Sequence, residues 1–134
     1  MRSAVLVLLA GGVFAWFVAT RDGAARRALD AEEAALRRLD ALRGAGPGEE
    51  RAEGGYRFHW VSGDDLPPVA VARPEGAGRR WFAAGADGPL YAFDTVLRRA
   101  PGGEPDLTVL RRHLARPAAE RPADPPGGWD PAHP

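Results

Sequence analysis

The run YRFHWV at residues 56–61 decides the fold of this 134-residue chain. Its aromatic side chains occupy every second position, which places Tyr56, Phe58 and Trp60 on one face of an extended strand. His59 alternates to the opposite face, which we expect to be solvated. A strand with one aromatic face needs an apolar surface to cover it, so the run predicts a half-buried antiparallel sheet.

Three further runs of this kind follow along the chain: VAVA at residues 69–72, RWFAA at 80–84 and LYAF at 90–93. The dipeptide Asp87-Gly88 between the last two is a strong signal for a tight hairpin turn. Together the runs predict a β-meander of three or four strands within residues 54–100. Six aromatic side chains are the expected core or partner-contact residues of this domain: Tyr56, Phe58, Trp60, Trp81, Tyr91 and Phe93.

An amphipathic stalk helix is predicted at residues 21–46, before the meander. The segment is rich in Ala, Leu, Arg and Glu, and the glycines and proline that follow it stop a helix sharply. Leu29, Leu36 and Leu39 lead an apolar stripe at helical spacing. Packing of this stripe on the meander gives an α+β fold. The alternative is a short coiled coil, although Glu32 interrupts its seam.

Residues 3–20 contain no charged side chain and lie between Arg2 and Arg21. As a helix they measure about 27 Å, close to the roughly 30 Å hydrocarbon core of a bilayer. No small-x-small cleavage motif ends the segment, so residues 1–20 are predicted to be an uncleaved transmembrane anchor and not a removed signal peptide.

Two features of the anchor bear on its surroundings. Gly11, Ala15 and Ala19 recur at every fourth residue, a spacing that lets a second helix pack closely; the abundance of Ala and Gly could also produce it by chance. Basic residues after the anchor favour a cytoplasmic body, whereas the short basic head before it is typical of an export signal. We expect the second orientation, with the C-terminal body in the periplasm and the anchor in a bacterial inner membrane.

Residues 101–134 are predicted to form a Pro-rich tail, because they hold eight of the chain's 13 prolines. Only residues 106–116 suit a helix, with Asp106 as its N-cap. The remainder has the composition of an extended or disordered segment. Trp129 is the candidate anchor of this tail to a partner, since tryptophan is common among residues that dominate interfaces; a solvated tryptophan is the alternative.

The composition argues against several kinds of chemistry. The 18 arginines balance 18 acidic residues, so no net field favours nucleic acid, and the lack of cysteine removes thiolate metal sites and disulfides. The three histidines lie in separate segments without metal-ligand spacing. We therefore predict no catalytic, cofactor-binding or metal-ligating residues and no small-molecule substrate. A weaker alternative is a small enzyme that uses His59 with Asp64 and Asp65.

Over residues 1–94 the chain resembles type IV pilins and pseudopilins. The likeness rests on the predicted membrane helix that runs into an amphipathic helix, then on GYRF, VAVA and RWF in the strand runs before Asp87-Gly88. It implies a helix packed on a small antiparallel sheet. The chain lacks the prepilin peptidase motif, because Gly12 lies within the apolar run and the first glutamate is Glu32. The resemblance thus implies the architecture without assembly into a filament.

These features predict a non-enzymatic, single-pass membrane protein that serves as a structural or interaction module of an envelope assembly. Its expected partners are the lipid bilayer and other membrane protein subunits. The alternative is an accessory structural subunit of a large membrane complex, respiratory or photosynthetic, whose tail wraps neighbouring subunits.

Overall fold

The computed structural model describes residues 2–98, 103–122 and 126–133, with side chains from residue 23 onward. The side chains of the predicted transmembrane anchor, including Gly11, Ala15 and Ala19, therefore lie outside the described ones. From residue 23 onward no helix is long and apolar enough to cross a membrane.

One long helix precedes a six-stranded antiparallel sheet, so the predicted α+β class is confirmed. The long helix, α1, spans Arg2–Ala45, and a short helix, α2, spans Leu107–Ala115. The strands are β1 Arg51–Glu53, β2 Tyr56–Val61, β3 Val69–Pro74, β4 Arg80–Ala84, β5 Leu90–Asp94 and β6 Asp130–Ala132. They pair in sequence order, as in a meander, and α2 lies in the connection between β5 and β6.

The sheet has more strands than the three or four that the sequence predicts. The additional ones, β1 and β6, are three residues long and carry charged side chains, so neither shows an alternating apolar pattern. β1 pairs with β2, and β6 pairs with β5. Both therefore lie at the sheet edges, where hydrogen bonds to a longer neighbour maintain the extended conformation.

One face of the sheet packs against α1. Leu36 and Leu39 of the helix share a buried cluster with Tyr56, Phe58 and Phe82 from β2 and β4. Burial of a large apolar side chain contributes about 1.5–3 kcal/mol, so this cluster is a major source of stability. The prediction that the stalk helix covers the aromatic face of the meander is confirmed for these residues.

The apolar stripe of α1 differs from the prediction at its N-terminal end. The helical spacing predicts that Leu29 is buried, but its side chain is 64% exposed. Glu32, one turn later, contacts the first residues of β4 at the end of the sheet. Ala28, one residue earlier, is still buried, so the covered side of α1 at this level does not include Leu29.

The other face of the sheet is covered by α2 and the C-terminal segment. Leu110, Leu114 and Trp129 pack there on a second buried cluster, formed by side chains of β3, β4 and β5: Val69, Val71, Trp81, Ala83, Tyr91 and Phe93. The ring centroid of Trp129 lies 5.5 Å from that of Phe93, and the indole Nε1 donates a hydrogen bond of 3.1 Å to the carbonyl of Asp106. The domain thus has three layers, with the sheet in the middle.

The prediction that residues 117–134 form an extended tail, with Trp129 free for a partner, is wrong for the described part of that segment. Trp129 is 0% exposed. Gly127 and Gly128 precede it with φ of 56° and 89°, a conformation that glycine adopts readily, and they turn the chain into β6. Pro131 is compatible with an edge strand. Burial of one large aromatic ring outweighs the extended bias of the prolines.

Two polar contacts fix α2. Its predicted N-cap is confirmed, because the Asp106 carboxylate accepts hydrogen bonds from the backbone N–H groups of Thr108 and Val109 at 2.9 and 3.2 Å. The buried Arg111 side chain donates to three carbonyls in the β2–β3 loop, those of residues 63, 66 and 67, at 2.6–3.0 Å. Helix α2 therefore holds this loop in place as well as covering the sheet.

Replacing Trp129 with alanine is expected to lower the free energy of unfolding by about 3–5 kcal/mol, because the change opens a cavity in the second core. The matched control is Trp60→Ala, which removes a half-buried indole and is expected to cost about 1–2 kcal/mol. Urea unfolding of the full chain in mild detergent, followed by far-ultraviolet circular dichroism, measures both. Equal losses would contradict the placement of Trp129 in the core.

Candidate interaction surface

The two ends of the sheet have different surroundings. We call one end of the sheet proximal: there, Arg80 at the start of β4 lies opposite Asp94 at the end of β5 in the strand register. The hydroxyl of Tyr56 donates a hydrogen bond of 2.7 Å to the carbonyl of Arg80 at this end. Glu32 of α1 contacts this end. At the opposite, distal end, Arg43 of α1 donates to the carbonyl of Gly88 in the β4–β5 turn at 2.6 Å. The N-terminal part of α1 therefore extends away from the proximal end.

Glu32 joins α1 to the proximal end through four contacts. One carboxylate oxygen accepts the backbone N–H groups of Arg79 and Arg80 at 3.1 and 3.2 Å. The other accepts Nε of Arg80 at 3.2 Å and lies 3.1 Å from its terminal nitrogen. The Glu32 side chain is 7% exposed. One carboxylate that accepts two backbone N–H groups and a guanidinium at the same time fixes orientation as well as distance, so Glu32 sets the register of the helix on the sheet.

The surroundings of Tyr56 are adapted to this contact. Burial, and next the charge of Glu32, raise the pKa of the Tyr56 phenol, which keeps it protonated as a hydrogen-bond donor. Gly78, in the β3–β4 turn, lies so close that an added Cβ would fall 2.2 Å from the phenol oxygen. The turn therefore needs glycine at this position for steric reasons.

A cleft of about 400 Å³ opens at the distal end, between the last turn of α1, the connection to β1 and strand β2. Its apolar wall is formed by Leu42, Phe58 and Trp60, and its rim by Arg38 and Glu49 among other charged residues. A second groove of about 380 Å³ shares His59 and Trp60 and runs toward Arg57 and Arg73. An apolar wall with a charged rim of both signs is typical of a surface that contacts another protein.

His59 lines both depressions, on the face that the sequence predicts to be solvated, but it is only partly exposed. Burial lowers the pKa of this imidazole below its usual value, and the charge of Glu50 opposes the shift. Smaller effects come from Arg73, Glu104 and Arg57. The side chain is therefore a neutral donor and acceptor at neutral pH.

The arrangement does not bring together the residues of the enzyme hypothesis. His59 lines the cleft, but the residues around the cleft do not include Asp64 and Asp65, which lie in the β2–β3 loop with φ of 55° and 53°. Within the described ranges, no three His, Asp or Glu side chains converge as metal ligands would.

The six predicted aromatic residues divide between the two cores. Tyr56 and Phe58 face α1, and Trp60 packs partly against the same cluster. Trp81, Tyr91 and Phe93 face α2 and Trp129. Of the six, Trp60 alone is partly exposed.

One apolar surface feature was missed by sequence reasoning. Val96 and Leu97, just after β5, are 76% and 82% exposed. The Asp94 carboxylate accepts their backbone N–H groups at 2.9 and 3.3 Å, and the carbonyl of Asp94 accepts N–H of Arg98. Two adjacent aliphatic residues give no sequence signal for an exposed turn, because such side chains are usually buried.

The sheet edges are poor surfaces for adding a further strand. β1 is short and carries Arg51 and Glu53, and β6 is short and contains Pro131. Short strands, charges and proline at an edge oppose pairing with another chain.

Comparison with known proteins gives no relative from which to assign a role. No protein family, curated protein or solved structure matches the chain.

Replacing Glu32 with glutamine is expected to lower the free energy of unfolding by about 2–3 kcal/mol, because Arg80 loses its charged partner in a largely buried site. Glu33→Gln is the matched control: Glu33 pairs with Arg37 on the exposed side of the same helix, and this pair contributes about 0.3–0.5 kcal/mol. Urea unfolding of both variants tests the assignment, which fails if the two changes have similar effects.

The lowered pKa of His59 predicts a pH dependence of stability. Protonation favours the unfolded chain, so the contribution of His59 is fully present above about pH 6.5 and is lost as the pH falls through the lowered folded-state value. Burial lowers the pKa of His113 as well, which acts in the same direction. In urea unfolding between pH 7 and pH 5, His59→Gln should lose less unfolding free energy than the unaltered chain. A steeper loss in His59→Gln would contradict the assignment.

Proposed function

We propose that this protein is a non-enzymatic, single-pass membrane protein whose folded domain contacts other protein subunits outside the membrane. The observation that carries the proposal is the continuity of α1. The helix that packs on the sheet through Leu36 and Leu39 is the same helix whose sequence is uncharged over residues 3–20. A span of this length and composition suits the core of a bilayer.

The way in which α1 is attached supports a structural role. The Glu32 contact at the proximal end and the Arg43 contact at the distal end hold the helix along the full length of the sheet. A domain fixed in this way cannot rotate freely about its anchor. Its surfaces therefore keep a defined orientation relative to the helix, which a subunit that contacts fixed neighbours requires.

The distal cleft is the proposed contact surface. Ala45, at the C-terminal end of α1, lines it. From Arg21 to Ala45 the helix rises about 36 Å, so in an anchored protein the cleft stands well clear of the headgroups. Trp60 supplies the apolar contact, since a partly buried tryptophan loses little conformational freedom on binding.

The pilin-like architecture and the bacterial envelope location belong to the same proposal. A long N-terminal helix packed on one face of an antiparallel sheet suits that architecture. The alternative is an accessory subunit of a respiratory or photosynthetic complex. A tail that wraps neighbouring subunits has less support, because Trp129 and β6 pack on the chain's own sheet. We place the body on the outer face of the membrane, as the short basic head of the anchor suggests.

In membranes of expressing cells, the full chain is expected to stay in the pellet at alkaline pH and to be released by detergent, whereas a chain that begins at residue 21 is expected in the supernatant.

Gentle detergent extraction of the full chain, followed by mass spectrometry, then identifies its partners. Trp60→Ala should reduce their recovery, and Leu29→Ala, a change at an exposed apolar side chain away from the cleft, should not.

Three results would contradict the proposal. Release of the full chain at alkaline pH would contradict the membrane anchor. Recovery of the chain without partners would contradict the interaction role. Unchanged recovery of partners with Trp60→Ala would show that the contact does not lie at the distal cleft.

A further inference from the structure

We infer that the distal cleft receives an extended segment of a partner protein, which pairs with the backbone of Trp60 as an added strand and places an aliphatic side chain against Leu42 and Trp60. The inference rests on the proposed function, because it states how a partner occupies the cleft. It concerns the edge of β2 inside the cleft, and not the outer edges of β1 and β6, which oppose pairing.

Strand β2 is longer than the strand that covers its outer edge. β2 has six residues and pairs with β3 along its whole length, from Tyr56 to Val61. β1 has three residues and pairs only with positions 56–58 of β2. The connection from α1 to β1, residues 46–50, contains no strand. Within the described residues, positions 59–61 therefore have a strand partner on the β3 side only.

The register shows that the backbone of Trp60 points toward the cleft. The N–H of Glu75 donates to the carbonyl of Gly55 at 2.8 Å, so these two residues form a hydrogen-bonded pair. Such pairs alternate with non-bonded pairs along an antiparallel ladder, so positions 57, 59 and 61 bond to β3. The N–H and carbonyl of Trp60 are thus directed away from β3, to the side on which the cleft opens.

Two local features support this assignment. Pro74 has no N–H to donate, and it lies opposite Tyr56, at a pair that needs no hydrogen bond between β2 and β3. The two-residue turn after Glu53 has φ of 60° and 79°, and the residues that flank such a hairpin turn, Glu53 and Tyr56, bond to each other. Trp60 continues this series beyond β1. The backbone hydrogen bonds of the described turns and loops do not include Trp60.

The cleft has the size and the lining that an added strand needs. One strand residue fills about 160 Å³, from a rise of about 3.3 Å, a strand spacing of about 4.8 Å and a sheet spacing of about 10 Å. The cleft of about 400 Å³ therefore holds roughly two or three residues. A residue paired with Trp60 places its side chain on the same face of the sheet, where Leu42 and Phe58 form the apolar wall.

The lining favours an extended peptide as the occupant. The backbone of Trp60 offers one donor and one acceptor, which the N–H and carbonyl of an extended residue satisfy together. The rim carries both signs of charge, with Arg38 and Arg51 beside Glu49 and Glu50, so it does not select a charged ligand. Selectivity then comes from the side chain opposite Trp60, and an aliphatic one suits the wall.

The experiment observes the Trp60 amide directly. The chain has four tryptophans, so nitrogen-15 tryptophan labelling of the full chain in detergent micelles gives four backbone amide and four indole signals. Trp60→Phe identifies the pair of signals that belongs to position 60. The probe is a capped pentapeptide with one leucine between two pairs of threonines. One control peptide is N-methylated at the leucine, and a second, of equal mass, is N-methylated at the threonine that follows.

Strand addition predicts that the unmodified peptide shifts the Trp60 amide proton downfield, as a new hydrogen bond does, and leaves the Trp129 amide unchanged. Each neighbouring pair in this sheet is antiparallel, and in such a pair the leucine N–H donates to the Trp60 carbonyl. N-methylation of the leucine should therefore weaken binding about tenfold. N-methylation of the threonine, whose N–H points away from β2, should change it by less than about twofold.

Three other results would overturn the inference. A shift of the Trp60 indole signal without a shift of its backbone amide, with both N-methylated peptides binding equally, would show an apolar contact without strand pairing. A Trp60 amide that exchanges slowly with solvent before peptide is added would show that this chain or a second copy already pairs there. No shift of either Trp60 signal would show that the cleft does not accept an extended segment.

These results are distinguishable from failure of the proposed function. If partner recovery falls with Trp60→Ala, the distal cleft remains the contact surface whether or not the peptide pairs with Trp60. If partner recovery is unchanged by Trp60→Ala, the contact surface is contradicted, and the inference fails with it.

Discussion

The attachment of α1 to the sheet depends on one buried carboxylate. Glu32 accepts two backbone N–H groups at the start of β4 and pairs with the guanidinium of Arg80. A carboxylate in such a site is stable only when its acceptor capacity is used, so the helix cannot slide or rotate without exposing an unpaired charge. The apolar contacts of Leu36 and Leu39 supply most of the burial, but apolar contacts alone tolerate small shifts. The carboxylate selects one register of the helix on the sheet.

The face of the sheet opposite α1 also needs an apolar cover. A sheet this small with one covered face would leave Val69, Val71, Trp81 and Phe93 in water. α2 and Trp129 cover them, and the hydrogen bond from the indole to the carbonyl of Asp106 ties the C-terminal segment to the start of α2. Charged or proline-containing edge strands then limit further pairing of the sheet. The described surface keeps the distal cleft with Trp60, the proximal turn with Val96 and Leu97, and the exposed Leu29 of α1.

Much of the fold was predictable from local patterns. Alternation in residues 56–61 identified the central strand and its covered face, the glycines after α1 marked its end, and Asp106 identified the cap of α2.

Three features were not predictable. β1 and β6 lack any pattern of their own, since their extended form comes from pairing. Leu29 matched the helical stripe, but the stripe does not show which side of the helix is covered at each level. Trp129 stood in a proline-rich segment whose composition favours extension, and its burial depends on a surface built from three distant strands. For the candidate surface, the six aromatic residues lie in or beside the two cores, but their spacing did not separate Trp60 from the buried ones.

The sequence by itself determined the α+β class, the order of helix and meander, and the uncharged N-terminal block, because these depend on periodicity and composition within short windows. Only the tertiary structure decided that Glu32 binds the sheet and does not interrupt a helical seam. The residues that it contacts lie 47 and 48 positions away in the chain. The tertiary structure also decided that the C-terminal segment belongs to the domain and that an aliphatic pair is left exposed at the end facing the N-terminal helix. Contacts of this kind join residues that no local pattern relates, so they follow from how the layers pack and not from any one stretch of the chain.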